Sequence, residues 1–202
     1  MIRGVLFDLD GVLLRSEGAW YRVVNAAAQA FGCPPVDRPR FEASFGQGVA
    51  ADAATFFPGR SEAEIAAYYE RHFAAHLGHV KVEPGAPALL SALARRGIPA
   101  AVVTNTPPRL ARLLVAHARL EIPDERIFGA GGARREKPAP DLLLAACEAL
   151  GLVPREALMV GDSPFDAHAA EAAGVPFLGY RMPGGLEHLE DLLGHLAASG
   201  QG

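Results

Sequence analysis

The chain has 202 residues and a formal net charge of −4, from 19 basic and 23 acidic side chains, and 50% of its residues are hydrophobic. This length and composition allow one buried core with a modest insertion, and they exclude disorder as the main state. The slight acidic excess offers no basic surface for nucleic acid, and the 2 cysteines are too few for a disulfide framework. Such low cysteine usage is typical of a reducing compartment, so we expect a cytoplasmic protein. No apolar run approaches the ~20 residues of a membrane-spanning helix.

Short apolar runs alternate with helical patterns along most of the chain, which is typical of βαβ units and a parallel sheet. The runs lack polar–apolar alternation, as expected for strands that helices cover on both faces. We therefore predict an α/β fold with a three-layer Rossmann-like core. The predicted strands are residues 5–7, 98–103, 127–128, 157–160 and 175–178.

One stretch, from about residue 15 to residue 83, breaks this alternation. Residues 16–31 and 61–77 have helical patterns that end near Gly32 and Gly78, and no strand pattern stands out between them. We therefore predict a core formed by residues 1–14 and 84–202, and a small α-helical cap formed by residues 15–83. A further helix is expected between Pro138 and Gly151, and the tail after Ser199 is expected to fray.

Polar side chains follow three of the predicted strands at the point where each strand ends. In an open parallel sheet, ligands bind beyond the carboxyl ends of the strands, so these side chains are expected to meet. The convergence predicts a functional site at this edge of the sheet. The side chains are Asp8, Asp10, Thr104, Asn105, Asp162 and Asp166.

The acidic members of this set require a cation. Asp8 and Asp10 are two residues apart on an extended chain, so both side chains point to one face, and Gly11 then permits a sharp turn. Two carboxylates that lie 4 Å apart repel by roughly 4 kcal/mol at an effective dielectric constant near 20. With Asp162 and Asp166 added, a hard divalent ion is needed, and Mg²⁺ is the natural one because it prefers carboxylate and carbonyl oxygens.

The same residue types can carry out phosphoryl transfer. A carboxylate at a strand end can attack phosphorus and form an aspartyl-phosphate. A second carboxylate can protonate the leaving alcohol and later deprotonate water. Lys137, one of only two lysines in the chain, can offset phosphate charge, and Thr104 and Asn105 can donate hydrogen bonds to phosphate oxygens.

Four segments occur in the order expected for the haloacid dehalogenase superfamily. The segment FDLDGVL at residues 7–13 resembles the first motif of this superfamily, and TN at 104–105 resembles the second. KP at 137–138 resembles the third motif, and GDSPFD at 161–166 resembles the fourth. The resemblance covers essentially the whole chain, because the insertion after the first motif stands where the family has a helical cap. The chain is most similar to the phosphoglycolate phosphatase and β-phosphoglucomutase-like branch.

The resemblance implies roles for the acidic residues. Asp8 would be the nucleophile and Asp10 the general acid and base. Mg²⁺ would be held by Asp8, the backbone carbonyl of Asp10 and Asp162, with Asp166 nearby. An aspartate at position 10 favours phosphate esters, since dehalogenating and phosphonate-cleaving members lack it.

The resemblance also implies that the phosphoryl group is bound by Thr104, Asn105 and Lys137. The rest of the substrate is expected to contact the cap loop FGQG at residues 45–48 and nearby arginines, whereas Trp20 is expected mainly to pack within the cap. The candidate substrate contacts are Arg15, Gln47, Arg109 and Arg134.

We therefore predict a Mg²⁺-dependent phosphatase, a phosphoric monoester hydrolase that acts on phosphoglycolate or a sugar phosphate through an aspartyl-phosphate at Asp8. One alternative is a phosphomutase of the β-phosphoglucomutase type, in which the phosphoryl group returns to the sugar; Val12 is common in that branch. Another is a catalytically idle protein retained for binding. The expected partner is a small phosphorylated metabolite, without nucleic acid or membrane, and the chain is expected to be a monomer or a weak dimer.

Overall fold

The structure, a computed structural model, describes residues 1–199, and the tail that was expected to fray lies outside the described residues. Within 1–199, no helix has both the length and the apolar composition that crossing a bilayer requires. In chain order the elements are β1 (Gly4–Phe7), β2 (Leu14–Arg15), α1 (Glu17–Phe31), α2 (Arg38–Glu42), α3 (Val49–Phe56), α4 (Glu62–His72), β3 (Lys81–Val82), α5 (Ala86–Arg95), β4 (Ala100–Thr104), α6 (Pro108–His117), β5 (Ile127–Gly129), α7 (Asp141–Leu150), β6 (Ala157–Gly161), α8 (Pro164–Ala173), β7 (Phe177–Gly179) and α9 (Leu192–Ser199).

The core is a five-stranded parallel sheet with the order β5-β4-β1-β6-β7, covered by helices on both faces. Successive residues of β1 point to opposite faces, so Val5 and Phe7 pack with α5 and α6, whereas Leu6 packs with α7 and α8. The predicted three-layer α/β fold is therefore confirmed. Because β1 is central, the residues that follow it lie beside the ends of both β4 and β6.

Two predicted strands begin later than expected, because their first apolar residues belong to helix ends. Ile98 donates its backbone N–H to the carbonyl of Leu93 at the end of α5, and Val175 donates to Ala170 at the end of α8. Each follows a glycine in the left-handed conformation, Gly97 and Gly174, with φ of 68° in both cases. This is the usual hydrophobic closure of a helix C-terminus, and a proline then separates it from the strand.

The insertion between β1 and α5 consists mainly of helices, as expected. Helix α1 ends at Gly32, where φ is 68°. Helix α4 begins after Ser61, whose side chain accepts the backbone N–H of Glu64. The prediction of a helix up to residue 77 with Gly78 at its end is wrong, because the chain after His72 winds more tightly, as a 3-10 helix over Phe73–His79.

A short antiparallel ladder joins the two ends of the insertion. Leu14 pairs with Val82 and Arg15 with Lys81. Two residues are too few to show the period-two pattern of a strand, which is why the sequence did not reveal this ladder. It lies beside the predicted limits of the cap at residues 15 and 83, but the division into two domains stays a prediction.

A buried glutamate ties this ladder to the core. The Glu83 side chain accepts hydrogen bonds from Arg15 Nη2 at 2.9 Å, from the Tyr180 hydroxyl at 2.9 Å and from Arg181 Nη2 at 2.7 Å. Arg15 above all, and then Tyr180 and Arg181, lower the pKa of Glu83 against the opposing effect of burial. The carboxylate therefore joins the end of the insertion to the loop that follows β7.

We expect Glu83→Gln to lower the free energy of unfolding by about 2 kcal/mol at pH 7, because hydrogen bonds to a buried charge are replaced by weaker ones. Since the pKa of Glu83 is lower in the folded chain, its contribution is present above the ordinary glutamate value and is lost as the pH falls through the folded value. The difference from the parent should therefore shrink in acid. Urea unfolding at several pH values measures it, with the exposed Glu125→Gln as control. Equal effects of the two substitutions would contradict the role of Glu83.

Candidate active site

Three neighbouring strands deliver the predicted site residues to one edge of the sheet. Asp8 follows β1, Thr104 ends β4, and Asp162 follows β6. Asp8 is almost fully buried, and its Oδ1 atom accepts the backbone N–H of Leu9 at 2.7 Å. The carboxyl ends of β4, β1 and β6 therefore form the floor of the site.

A buried ammonium group lies at the centre of this floor. The Nζ atom of Lys137 lies 2.9 Å from Asp8 Oδ1, 2.6 Å from Asp166 Oδ1 and 3.0 Å from the carbonyl oxygen of Val103. An ammonium group has three hydrogens, and here each has an acceptor. Burial acts to lower the pKa of Lys137, but Asp166 and then Asp8 outweigh it and hold this pKa above its ordinary value. Lys137 is therefore charged.

Three carboxylates surround a space that fits a cation. One oxygen from each of Asp8, Asp162 and Asp166 lies within 4.8 Å of the others. Burial raises the pKa of Asp162 to about 7, and the neighbouring Asp166 acts in the same direction. Burial also raises the pKa of Asp8, opposed by Lys137. One ammonium cannot neutralise three carboxylates, so these oxygens suit a hard divalent cation.

Two glycines, Gly11 and Gly161, leave room for the carboxylates of Asp162 and Asp166. Gly11 has a φ of +92°, and a Cβ atom there would overlap the Asp162 carboxylate. A Cβ atom at Gly161 would likewise overlap Asp166. Both glycines are thus needed for space around the acidic cluster, and Gly11 also turns the chain.

The carboxylate of Asp10 lies outside this acidic cluster and is held by three donors. It accepts hydrogen bonds from the Ser16 hydroxyl, from Trp20 Nε1 at 2.9 Å and from Thr106 Oγ1 at 2.7 Å. The sequence predicts that Asp10 binds the metal through its backbone carbonyl, and this stays a prediction. Asp10 is positioned for a role different from that of Asp8.

The donors to Asp10 were missed at the sequence level. Trp20 packs edge-on against Phe73, with ring centroids 4.7 Å apart, as expected of a cap residue, but its indole N–H also reaches the core. The spacing of four between Ser16 and Trp20 is a signal that could have been used, since it places both on one side of the start of α1. Thr106 directly follows the TN segment at residues 104–105, which resembles the second motif.

Asn105 connects the core to the insertion. Its Nδ2 atom donates to the carbonyl oxygens of Gly46 and Lys137, both at 3.0 Å, and its Oδ1 atom accepts the backbone N–H of Lys137 at 2.7 Å. Thr104 Oγ1 accepts the backbone N–H of Thr106 at 3.1 Å. Asn105, Thr104 and Lys137 are brought together as predicted from the sequence, and the binding of phosphate by them stays a prediction.

A small cleft lies between this floor and the insertion. Its volume is about 50 Å³. Gln47 lines the cleft, as proposed from the sequence, and its neighbours there are residues of α1, α3 and the chain between α2 and α3. The residues that line the cleft are Asp8, Asp10, Trp20, Val24, Phe41, Ser44, Phe45, Gly46, Gln47, Gly48, Val49, Asp52, Thr104, Asn105 and Thr106.

The structure does not bring the three candidate arginines to this cleft. Arg15 pairs with Glu83 at the ladder. Arg109 lies beside Glu70 in a groove on the outer surface. The guanidinium of Arg134 lies 5.7 Å from the centre of the Phe128 ring. Their sequence positions did not reveal this, because arginine side chains are long and most of them lie on protein surfaces.

The chain is similar to one family model, to several phosphatases and to solved structures with the same fold. The family model described as "Hydrolase: haloacid dehalogenase-like hydrolase" matches residues 2–174. A phosphoglycolate phosphatase from Rhodospirillum rubrum is 36% identical over 87% of this chain and 78% of its own length. Hexitol phosphatase A from Escherichia coli is 34% identical over 94% of this chain and 88% of its own length. The structure of CbbY from Rhodobacter sphaeroides in complex with phosphate is 26% identical, with a TM-score of 0.77 over 89% of this chain and 86% of that one.

We expect Lys137→Met to lower the free energy of unfolding by about 3–5 kcal/mol at pH 7 in the presence of a chelator, because it leaves two buried carboxylates without their partner. Chemical denaturation measures the change. Lys81→Met is the matched control, since Lys81 is the other lysine of the chain and is exposed. A change below about 1 kcal/mol would show that the Lys137 ion pairs do not hold the site together.

Proposed function

This chain belongs to the haloacid dehalogenase-like hydrolases, and on that premise we propose that it is a Mg²⁺-dependent phosphatase that cleaves a small phosphate monoester through an aspartyl-phosphate at Asp8. The enzyme class expected from the sequence, a phosphoric monoester hydrolase, is confirmed by the family match together with the phosphatase relatives. The observation that carries the proposal is the contact of Asp8 with Lys137 inside the acidic cluster. The phosphatase relatives make phosphoglycolate and hexitol phosphates the substrate candidates.

Asp8 is the nucleophile of the proposed reaction. Leu9 N–H and Lys137 both contact its Oδ1 atom, so the carboxylate plane is fixed before substrate arrives. Attack of a carboxylate oxygen on phosphorus forms the acyl phosphate bond, and the bond from phosphorus to the leaving oxygen breaks. Water then attacks the same phosphorus, which releases inorganic phosphate and restores the carboxylate.

Asp10 handles the proton in both half-reactions. It gives a proton to the leaving oxygen in the first and takes one from the attacking water in the second. Its donors Ser16, Trp20 and Thr106 keep the carboxylate in one orientation, and Trp20 belongs to the insertion. The position of the insertion therefore affects the position of the proton carrier.

Asp8, Asp162 and the Asp10 carbonyl would hold the magnesium ion, with Asp166 nearby. When bound, the ion supplies positive charge that offsets the charge of the phosphoryl group in the transition state. Lys137 contributes a fixed positive charge in direct contact with Asp8 and Asp166. Thr104 and Asn105 are placed at the edge of the cleft, where we expect the phosphoryl oxygens.

Residues 15–83 act in this proposal as a cap that opens and closes. The cleft encloses about 50 Å³, which is well below the ~300 Å³ of a typical small-molecule pocket. Substrate therefore enters only when the cap moves away from the core. When the cap closes, it excludes bulk water and completes the contacts to Asp10.

We expect Asp8→Asn to reduce the release of phosphate from p-nitrophenyl phosphate at least about 1,000-fold, because the amide cannot form the acyl phosphate. The measurement is initial rate at saturating Mg²⁺, and Asp124→Asn, on the exposed surface, is the matched control. A chelator should abolish the activity of the parent, and added Mg²⁺ should restore it.

Activity of Asp8→Asn close to that of the parent would overturn the role of the nucleophile. Conversion of a sugar phosphate into its isomer, without release of free phosphate, would favour the alternative of a phosphomutase. Absence of turnover, combined with a melting temperature that does not respond to Mg²⁺, would favour the binding protein.

We expect Thr106→Val to lower kcat about tenfold with little change in KM, because the variant loses a hydrogen bond that orients the proton carrier rather than a contact to substrate. Thr106→Ser retains the hydroxyl and should recover most of the rate. Steady-state kinetics on the same ester measure both variants, and thermal unfolding checks that both are folded. Equal loss in the two variants would show that Thr106 acts through packing alone.

A further inference from the structure

One carboxylate of the insertion, that of Asp52, lines the cleft. Asp52 belongs to α3, and its Oδ1 atom accepts a hydrogen bond from Gln47 Nε2 at 2.8 Å. Its Oδ2 atom accepts from the Tyr69 hydroxyl at 2.9 Å. Tyr69 is fully buried, with its ring 5.5 Å from that of Trp20. Asp52 and Gln47 are therefore held in place by the cap core.

The charged residues that line this cleft do not suit an acidic substrate. Among the lining residues within 1–199, none is an arginine, a lysine or a histidine, and the charged ones are Asp8, Asp10 and Asp52. Lys137 lies just beneath, but Asp8, Asp166 and Val103 already accept its three hydrogens. A carboxylate at the far end of a substrate would thus meet Asp52 without a cation to offset the repulsion.

The cleft instead offers hydrogen-bond acceptors and apolar surface. An ionised carboxylate accepts hydrogen bonds but cannot donate them, so the remaining lone pairs of Asp52 can bind only donors, such as the hydroxyl groups of a substrate. Ser44 adds a hydroxyl, and apolar side chains such as Phe45 and Val49 surround these polar groups. Hydroxyl donors beside apolar surface are the features of a polyol, whose carbon chain packs while its hydroxyls are bound.

Resting on the proposed function, we infer that the leaving group of the substrate is uncharged and carries several hydroxyls, as in a hexitol phosphate, and that Asp52 with Gln47 selects it against a carboxylate such as that of phosphoglycolate. Asp52 recognises hydroxyl groups and repels acids. Gln47 is oriented by Asp52 through its amide nitrogen, which leaves the side-chain carbonyl as a second acceptor for the substrate.

The test compares kcat/KM for sorbitol 6-phosphate, phosphoglycolate, phosphoethanolamine and p-nitrophenyl phosphate. In the parent we expect sorbitol 6-phosphate to exceed phosphoglycolate at least about 100-fold. Asp52→Asn should lower the value for sorbitol 6-phosphate about tenfold and raise that for phosphoglycolate about tenfold, since it removes the charge but retains the shape. The matched control is Glu62→Gln, an exposed acid of the same cap.

A second variant keeps the test valid if Asp52→Asn folds poorly. Tyr69→Phe retains the packed ring and removes only the hydroxyl that holds Asp52. It should therefore lower the ratio of kcat/KM for sorbitol 6-phosphate to that for phosphoglycolate by about threefold. Thermal unfolding is recorded for each variant.

Two failures are distinguishable. If the parent hydrolyses none of the four esters, the proposed function fails. If it hydrolyses any of them, the inference is overturned by a parent that prefers phosphoglycolate, by one that prefers phosphoethanolamine, or by an Asp52→Asn variant with an unchanged ratio of sorbitol 6-phosphate to phosphoglycolate.

Discussion

The rest of the site depends on the burial of one ammonium group. A charge moved out of water is costly unless it is paired and fully hydrogen-bonded, and Lys137 meets both conditions through Asp8, Asp166 and the Val103 carbonyl. These acceptors come from the end of β1, from α8 and from β4. Satisfying the lysine therefore fixes three elements relative to one another, and the orientation of Asp8 follows from that constraint.

The cap and the core are joined by polar contacts at the edge of the same site. Asn105 donates to the Gly46 carbonyl, and the backbone N–H of Ala50 donates to Glu136 Oε1 at 3.0 Å. Gly48, which has a φ of +96° that favours glycine, brings the backbone of the insertion against the Glu136 carboxyl group. Asn105 and Glu136 are sequence neighbours of Thr104 and Lys137. In the proposed function, cap closure and the arrangement of the residues expected to bind phosphate are consequently coupled through the backbone.

The sequence was informative wherever a feature is local. Apolar runs located the strands, and Asp8 and Asp162 could be assigned to strand ends because a parallel sheet collects its carboxyl ends at one edge. Contacts between distant side chains could not be predicted this way. Nothing in the spacing of Glu83 and Arg15 reveals that they meet, and the indole N–H of Trp20 reaches Asp10 only because the cap folds back over the core. Ile98 and Val175 were predicted to begin strands, but each closes the end of a helix. Their hydrophobicity could not distinguish a helix end from a strand, because an apolar residue suits both.

The charge balance of the cleft explains how binding and selection are divided. Asp8, Asp162 and Asp166 outnumber Lys137, so a phosphate group meets more negative than positive charge on the floor unless a divalent cation is present. In the proposed function, phosphate affinity therefore depends on the cation. Asp52 lies on the side of the cleft formed by the insertion and adds a negative charge there, where we infer that the leaving group binds. A second anionic group on the substrate would face that field without compensation, whereas hydroxyls turn the same carboxylate into a binding partner. In the proposed function, attraction for the phosphate is thus set by the core, and the inferred discrimination among its esters is set by the cap.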